Sequence, residues 1–216
     1  MLVTSRSYVE YEAMFDLTEL PASVLDCSAG GSSFTAEAAA RGVDVVAVDP
    51  AYDLTMPELV DIVRRSLPVG NDMVDANADR FTWKWYGTLQ KRDDLRLEAA
   101  DRFLQDIGEA PDRYVAGSLP ELPFEDGRFE VALCSHLLFT WAETFGRDWH
   151  LAALRELIRV SSAEVRVFPL VLAGTGEAVP FLPEVLDELD GVRWEIRKVP
   201  YEFQTGADEM LVITHS

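Results

Sequence analysis

Two carboxylates flanking a small-residue turn are the residues whose spacing points most directly to chemistry. Asp26 closes the apolar run of Val24 and Leu25, the stretch Cys27-Ser28-Ala29-Gly30-Gly31-Ser32-Ser33 follows, and Asp49 closes a second apolar run, residues 43–48, at 23 residues beyond Asp26. Backbone amides of such a turn, and of a helix behind it, point at a ligand, while a carboxylate ending the second strand accepts from the two hydroxyls of a ribose. The separation suits the acidic residue roughly 20 positions past a glycine-rich turn in dinucleotide folds. The turn is not G-x-G-x-x-G, however, and Asp26 sets an anion where a pyrophosphate wants amides. His136 adds a titratable base two positions after a third run, residues 129–134, apolar except for Glu130.

These residues need a scaffold, and the periodicity supplies one. Val24 and Leu25 read as a buried strand, the alanine-rich residues 35–41 as a helix, and residues 43–48 as a second buried strand. That is half of a nucleotide-binding α/β sheet. Ahead of it, residues 6–17 place Tyr8, Tyr11 and Phe15 on one helical stripe, which either packs on the sheet or closes over a ligand. Residues 113–116 and 129–134 read as third and fourth strands, 148–160 as a helix, and 164–170 as a fifth strand. A short helix at 183–189 precedes an antiparallel hairpin of 192–199 with 209–214. The hairpin loop, 200–208, carries Tyr201, Phe203 and Gln204, suited to lining a substrate.

Between the second and third strands lie residues 50–111, far longer than a crossover requires. Helical windows fall at 57–66, 75–89 and 93–107, with a break expected at Leu67-Pro68-Val69-Gly70-Asn71. The length predicts a helical cap inserted over the sheet edge where ligands of open α/β sheets bind. Inside it, Phe81-Thr82-Trp83-Lys84-Trp85-Tyr86 is the densest aromatic patch, serving to anchor the cap, to wall a substrate pocket, or both.

The segment Val24-Leu25-Asp26-Cys27-Ser28-Ala29-Gly30-Gly31-Ser32 resembles the first motif of the class I S-adenosylmethionine-dependent methyltransferases, hydrophobic-hydrophobic-Asp-x-Gly-x-Gly-x-Gly. Gly30 takes the middle glycine position, Ser28 and Ser32 take the outer two, and Gly31 is additional. Further along, Leu122-Pro123-Phe124 with Gly127 and Phe129 is similar to the family's approach to its fourth strand. Glu156-Leu157-Ile158-Arg159-Val160 is similar to the end of its next helix, although Ser161-Ser162-Ala163 replaces the usual Gly-Gly turn and predicts a tight connection.

The resemblance implies a single domain over 1–216: a Rossmann-like, seven-stranded, mostly parallel sheet flanked by helices, with the C-terminal hairpin antiparallel and 50–111 inserted as the cap. It implies S-adenosylmethionine as cofactor and S-adenosylhomocysteine as product. Cofactor contacts would come from Asp26, Cys27, Ser28, Gly30, Gly31, Asp49, Pro50, Ser118, Leu119 and Cys134. Asp26 would orient the turn and the methionine amino group, Asp49 would grip the ribose, and Ser118 would offer a hydroxyl where the family usually carries Asp for adenine. His136 becomes the candidate base beside the transferred methyl. Tyr8, Tyr11, Trp83, Trp85, Tyr86, Tyr201 and Phe203 become candidate substrate contacts, and no metal is implied. Arg166, inside the fifth strand, needs a partner: an acidic neighbour or a substrate carboxylate.

Composition narrows the partners. A formal charge of −19 over 216 residues repels phosphate backbones, which argues against a nucleic-acid substrate and leaves small-molecule or protein substrates. Two cysteines, Cys27 and Cys134, make no disulfide framework and suit a reducing cytoplasm. No stretch reaches the roughly 18 consecutive apolar residues of a membrane span. The expected activity is methyl transfer to a small molecule. A non-catalytic protein of the same fold that holds the cofactor, or a related nucleoside, as a sensor or scaffold is the alternative. A nicotinamide-dependent oxidoreductase would need the pyrophosphate turn that is missing.

Overall fold

A computed structural model describes residues 2–216. Seven strands form one sheet in the order β3-β2-β1-β4-β5-β7-β6: β1 Ser23–Cys27, β2 Asp44–Val48, β3 Tyr114–Val115, β4 Phe129–Ser135, β5 Ser161–Phe168, β6 Val192–Lys198 and β7 Glu209–His215. The pairings among β1 to β5 are parallel, and β7 runs antiparallel to both β5 and β6. β1 and β4 are buried along nearly their whole length, which is why they read as continuous apolar runs. Their register sets Asp26 beside Leu133 and Cys27 beside Cys134, so the C-terminal ends of the two strands define the sheet's central crevice. The order reverses there, between β1 and β4, the point where open α/β sheets bind ligands.

Helices cover both faces: α1 Tyr8–Phe15, α2 Phe34–Ala40, α3 Met56–Asp75, α4 Leu89–Glu109, α5 Ala142–Val160 and α6 Leu182–Asp187. One face buries Leu25, Ala132, Val165 and Leu211 under Leu151, Leu154 and Leu157 of α5. The other buries Val24, Val131, Leu133 and Val212 under Tyr11, Met14 and Phe15 of α1 and Phe34 of α2. Arg166 resolves as a structural pairing: it bonds Glu164 and donates to the Phe15 carbonyl at 2.5 Å, closing the C-terminus of α1.

The segment between β2 and β3 departs from expectation in its breaks. α3 runs unbroken through Pro68, and no break occurs at 67–71. Pro68 is exposed, so water can satisfy the carbonyl of Arg64, also exposed, that the ring leaves without a donor. The break falls instead at 76–88, where 75–89 had read as helix. The residues Phe81-Thr82-Trp83 favour extended backbone, and Thr82 donates from its amide to the Phe203 carbonyl at 2.7 Å while the Phe81 ring stacks on Phe203 at 4.6 Å. α4 performs the crossover: Ala100, Phe103 and Ile107 pack with Ala47 and Tyr114 of β2 and β3, and Leu59 and Val63 of α3 join the same cluster. The connection after α5 is tight, as Ser161-Ser162-Ala163 predicts, and these three residues are themselves the start of the strand: β5 begins at Ser161, immediately after α5 ends at Val160, and closes at Phe168.

Candidate functional site

The two carboxylates are held very differently. Asp49 leaves β2 and is half-buried, its Oδ2 accepting from the Gly30 amide at 3.0 Å and its Oδ1 from the Ala51 amide at 2.9 Å. Tyr52 ties the same turn down by donating to the Gly30 carbonyl at 2.7 Å. Each carboxylate oxygen keeps a free acceptor direction. Burial raises the Asp49 carboxyl, and the Ala51 and Gly30 amides hold it back.

Asp26 is fully buried. Its Oδ1 accepts from the Tyr11 phenol at 2.9 Å, and its Oδ2 has no partner among the described residues. Burial pushes its carboxyl up to about 7, against the Tyr11 hydrogen bond, the neighbouring charge of Asp49 adds to the rise, and the nearby Thr35 hydroxyl acts against it. Desolvation of this size disfavours the charged form unless a cation arrives.

Between them the turn adopts the left-handed backbone that a close-approach loop needs, at Ser28 (φ 59°) and at Gly30 (φ 57°). Serine takes this conformation at a cost that glycine avoids. The amino-terminal segment lies across the turn: the Gly31 amide donates to the Thr4 carbonyl at 2.9 Å, and the Ser33 amide donates to the Arg6 carbonyl at 2.9 Å. A Cβ on Gly30 would stand 2.8 Å from the Thr4 carbonyl oxygen, so this strap requires glycine there, whereas one on Gly31 would meet only the rotatable Ser5 hydroxyl, at 2.7 Å.

Behind the strap is a buried ionic network that the sequence reading missed. Glu10, fully buried, closes the capping box of α1 by accepting from the Ser7 amide at 2.7 Å, and it also meets Arg96 Nη2 at 2.7 Å and the Tyr86 hydroxyl. Tyr86 and Tyr201 share a hydroxyl contact of 2.8 Å, and Arg96 Nη1 donates to the Ser5 carbonyl at 3.0 Å. Burial alone would raise the Glu10 carboxyl, yet Arg96, then Arg6, Tyr86 and Ser7, outweigh it and hold the group below its ordinary value. The Ser7-x-x-Glu10 spacing was a legible capping signal. Nothing local announced its partners, 76 and 86 positions away.

His136 follows β4 with positive φ (56°), half-buried, its amide donating to the Phe168 carbonyl at 2.7 Å. Its Nδ1 lies 2.9 Å from Ser135 Oγ, and burial, together with the charges of Arg6 and Arg96, drives its pKa well below 6.5. The imidazole is therefore neutral at physiological pH, a proton acceptor by state although a weak one.

The remaining candidates divide. Trp83, Trp85, Tyr86, Tyr201 and Phe203 come together, with Trp85 5.0 Å from Tyr201 and Trp83 5.4 Å from Phe203 between ring centres. Tyr11 belongs with Asp26. Tyr8 stands apart, stacked on Phe34 under the Arg41 guanidinium, beside a groove of about 460 Å³ between α1, α2 and α4. Cys27 and Cys134 are enclosed in the apolar core, Leu119 is buried, and Pro50 and Ser118 are exposed. Gly117 permits close approach of the loop after β3: a Cβ there would lie 2.9 Å from Val48 Cγ2.

No family model matches the chain. A curated protein of Methanocaldococcus jannaschii, known as the uncharacterized protein MJ0045, is 28% identical over 215 residues, spanning 98% of this chain and 95% of its own. Among solved structures, a TehB-like SAM-dependent methyltransferase of Corynebacterium glutamicum superimposes with a TM-score of 0.52 at 17% identity, over 96% of this chain and 86% of that one. The PH0226 protein of Pyrococcus horikoshii superimposes with a TM-score of 0.51 at 14% identity, over 96% and 89%. The fold is that of the class I S-adenosylmethionine-dependent methyltransferases. Among the described residues no helix is long and apolar enough to cross a membrane, and no cluster of His, Cys, Asp and Glu is arranged to hold a metal ion.

Proposed function

We propose that this protein is an S-adenosylmethionine-dependent methyltransferase acting on a small molecule, with the part of 50–111 that precedes the crossover helix α4 as its cap. The observation that carries this reading is the pair of carboxylates at the crevice. Asp49 is pinned by two amides yet keeps acceptor directions for the hydroxyls of a ribose, and Asp26 holds a buried oxygen with no partner, which a cationic amino group would satisfy. The donor set fits a nucleoside bearing an ammonium arm better than a phosphate, since two carboxylates flank the turn. Bound, S-adenosylmethionine supplies a methyl group already activated on a sulfonium.

The protein's tasks are then alignment and exclusion of water. Asp49 and the Gly30 turn fix the nucleoside end, and Asp26 with Tyr11 orients the amino-acid arm. The half-buried Trp83 and Trp85, backed by the buried Phe203 and Tyr201 rings, position the acceptor. His136, neutral and fixed by Ser135, accepts a proton from an acceptor that arrives protonated. The strap of Thr4 and Ser5 must give way at the Gly31 amide for a ligand to reach the turn.

Calorimetric titration with S-adenosylmethionine, with NADH as control, tests the reading. Saturable binding at around micromolar affinity, lost in Asp49→Ala and absent for NADH, is the expected result. No binding to a folded protein refutes it. A second reading, cofactor binding without turnover, draws on Ser28 in its strained conformation and on the strap over the turn. Transfer of a labelled methyl group to any acceptor in a metabolite extract would eliminate that alternative.

A further inference from the structure

The network around Glu10 contains more positive charge than it neutralises. Arg6 and Arg96 both face this one carboxylate. Arg96 takes it at 2.7 Å, with further bonds to Tyr86 and to the Ser5 carbonyl. Arg6 approaches no nearer than 3.8 Å and makes no side-chain hydrogen bond among the described residues, although 88% of its side-chain surface is covered, the exposed share being 12%. Arg92, in the next turn of α4, is matched separately by Asp93 at 2.9 Å and Asn71 at 2.9 Å. One guanidinium is therefore left over, in a molecule whose formal charge is −19.

A guanidinium that is mostly covered and makes no hydrogen bond within the protein has lost much of its hydration without compensation, and its planar fork is shaped for two parallel bonds to a carboxylate. The chain supplies none. Contacts link this network to the acceptor side of the crevice: Tyr86 bonds Glu10 and Tyr201, Tyr201 packs on Phe168 at 5.7 Å, and His136 packs on the same ring at 5.5 Å between ring centres. The two arginines are distinguishable electrostatically as well. Burial and the charge of Arg96 lower the Arg6 pKa, whereas Arg96, despite burial, is raised by Glu10.

We infer that Arg6 is the receptor for a carboxylate of the methyl acceptor, so that the substrate is an aromatic or apolar carboxylic acid whose body rests on the half-buried Trp85 ring, which the buried Tyr201 ring backs at 5.0 Å. The identity of the anion as part of an acceptor rests on the methyltransferase reading. The anion site itself does not. With its carboxylate held on Arg6, such a substrate presents a different atom to the methyl group, and the neutral His136 lies on the side where that atom's proton must leave.

The test titrates the protein with benzoate, phenylacetate and indole-3-acetate, each beside its primary amide, in wild type and Arg6→Gln. The acids should bind wild type and weaken by about tenfold or more in Arg6→Gln, as loss of a charge-assisted pair requires, with the amides unchanged. Arg6→Lys, which keeps the charge and loses the fork, should recover part of the loss, and it carries the comparison if Arg6→Gln does not fold. Acids that bind no better than amides, or equally to both proteins, overturn the site.

A second arm compares S-adenosylhomocysteine with 5′-methylthioadenosine, which lacks the amino-acid carboxylate. Their affinity ratio should be the same in wild type and Arg6→Gln. A ratio that collapses in the variant puts the cofactor's carboxylate on Arg6 and overturns the acceptor assignment. If Arg6-dependent acid binding persists while S-adenosylhomocysteine does not bind at all, the methyltransferase reading falls and the anion site stands. The opposite pattern removes the anion site alone.

Discussion

Replacing Asp26 by Asn should stabilise the protein, and by more the higher the pH. The carboxyl is fully buried and its pKa stands at about 7 in place of the ordinary 3.8. Between those values the folded state binds more protons than the unfolded one, so stability falls as pH rises from about 4 and the loss is complete above about 7. At roughly 1.4 kcal/mol per tenfold, the ionised carboxylate costs about 4 kcal/mol at pH 8.5 and about 2 kcal/mol at pH 5.5. Asparagine keeps the oxygen that accepts from Tyr11 and offers an amide to the buried, unpartnered Thr35 hydroxyl.

The assay is thermal unfolding of both proteins from pH 5.5 to 8.5 in the absence of ligand. At roughly 2–4 °C per kcal/mol for a chain of this size, the variant's advantage in Tm should widen by about 4–8 °C across that range. Other titrating groups, His136 among them, are common to both proteins and cancel in the difference. A Tm difference that is constant with pH would refute the argument, because it would mean Asp26 titrates alike in the folded and unfolded chain. The same substitution should weaken binding of S-adenosylhomocysteine, whose ammonium loses its counter-charge.

Glu10→Gln leaves Arg96 and Arg6 buried without their carboxylate and should cost about 3–5 kcal/mol, measured by urea unfolding; a loss under about 1 kcal/mol, typical of exposed pairs, would contradict the network. Ser28→Gly removes a left-handed serine at φ 59° and should raise stability by up to about 1 kcal/mol, the freedom it adds to the unfolded chain offsetting part of the gain. His136→Ala should bind cofactor normally and lose turnover, and unchanged turnover would remove His136 from the mechanism. Because the His136 pKa is depressed in the folded state, its contribution to stability is complete above about pH 6.5 and is lost as pH falls below that. The variant's Tm should therefore decline less steeply on acidification.

The sheet was legible because its signals are local. The apolar runs ending at Asp26, Asp49 and Cys134 are strands buried on both faces, and such strands leave a composition that needs no partner to interpret. The breaks in 50–111 were not legible. Proline at 68 and glycine at 70 punctuate a sequence strongly, but Pro68 faces solvent and the helix continues past it. The real interruption, at 76–88, is imposed by a partner more than a hundred residues on, Phe203. The site divides in the same way. Asp26 and Asp49 announce themselves by spacing, whereas Glu10, Arg6 and Arg96 are an unremarkable capping glutamate and two arginines on helical or near-helical sequence until the fold collects them.

The hydrogen bonds of Glu10 also bear on how the chain is made. Its partners are Arg96 and Tyr86, and the hydroxyl of Tyr86 is in turn engaged by Tyr201. During synthesis from the amino end, residue 10 emerges first and the last member of its network only after some 190 further residues have been added. The counter-charge, Arg96, arrives much sooner, and until it does a docked α1 would bury a carboxylate without its close partner, which is prohibitive. The first helix of the sequence thus seats only after α4 has been made. The strap of Thr4 and Ser5, whose Ser5 carbonyl accepts from the same Arg96, closes over the glycine turn only in a chain in which α4 is already in place.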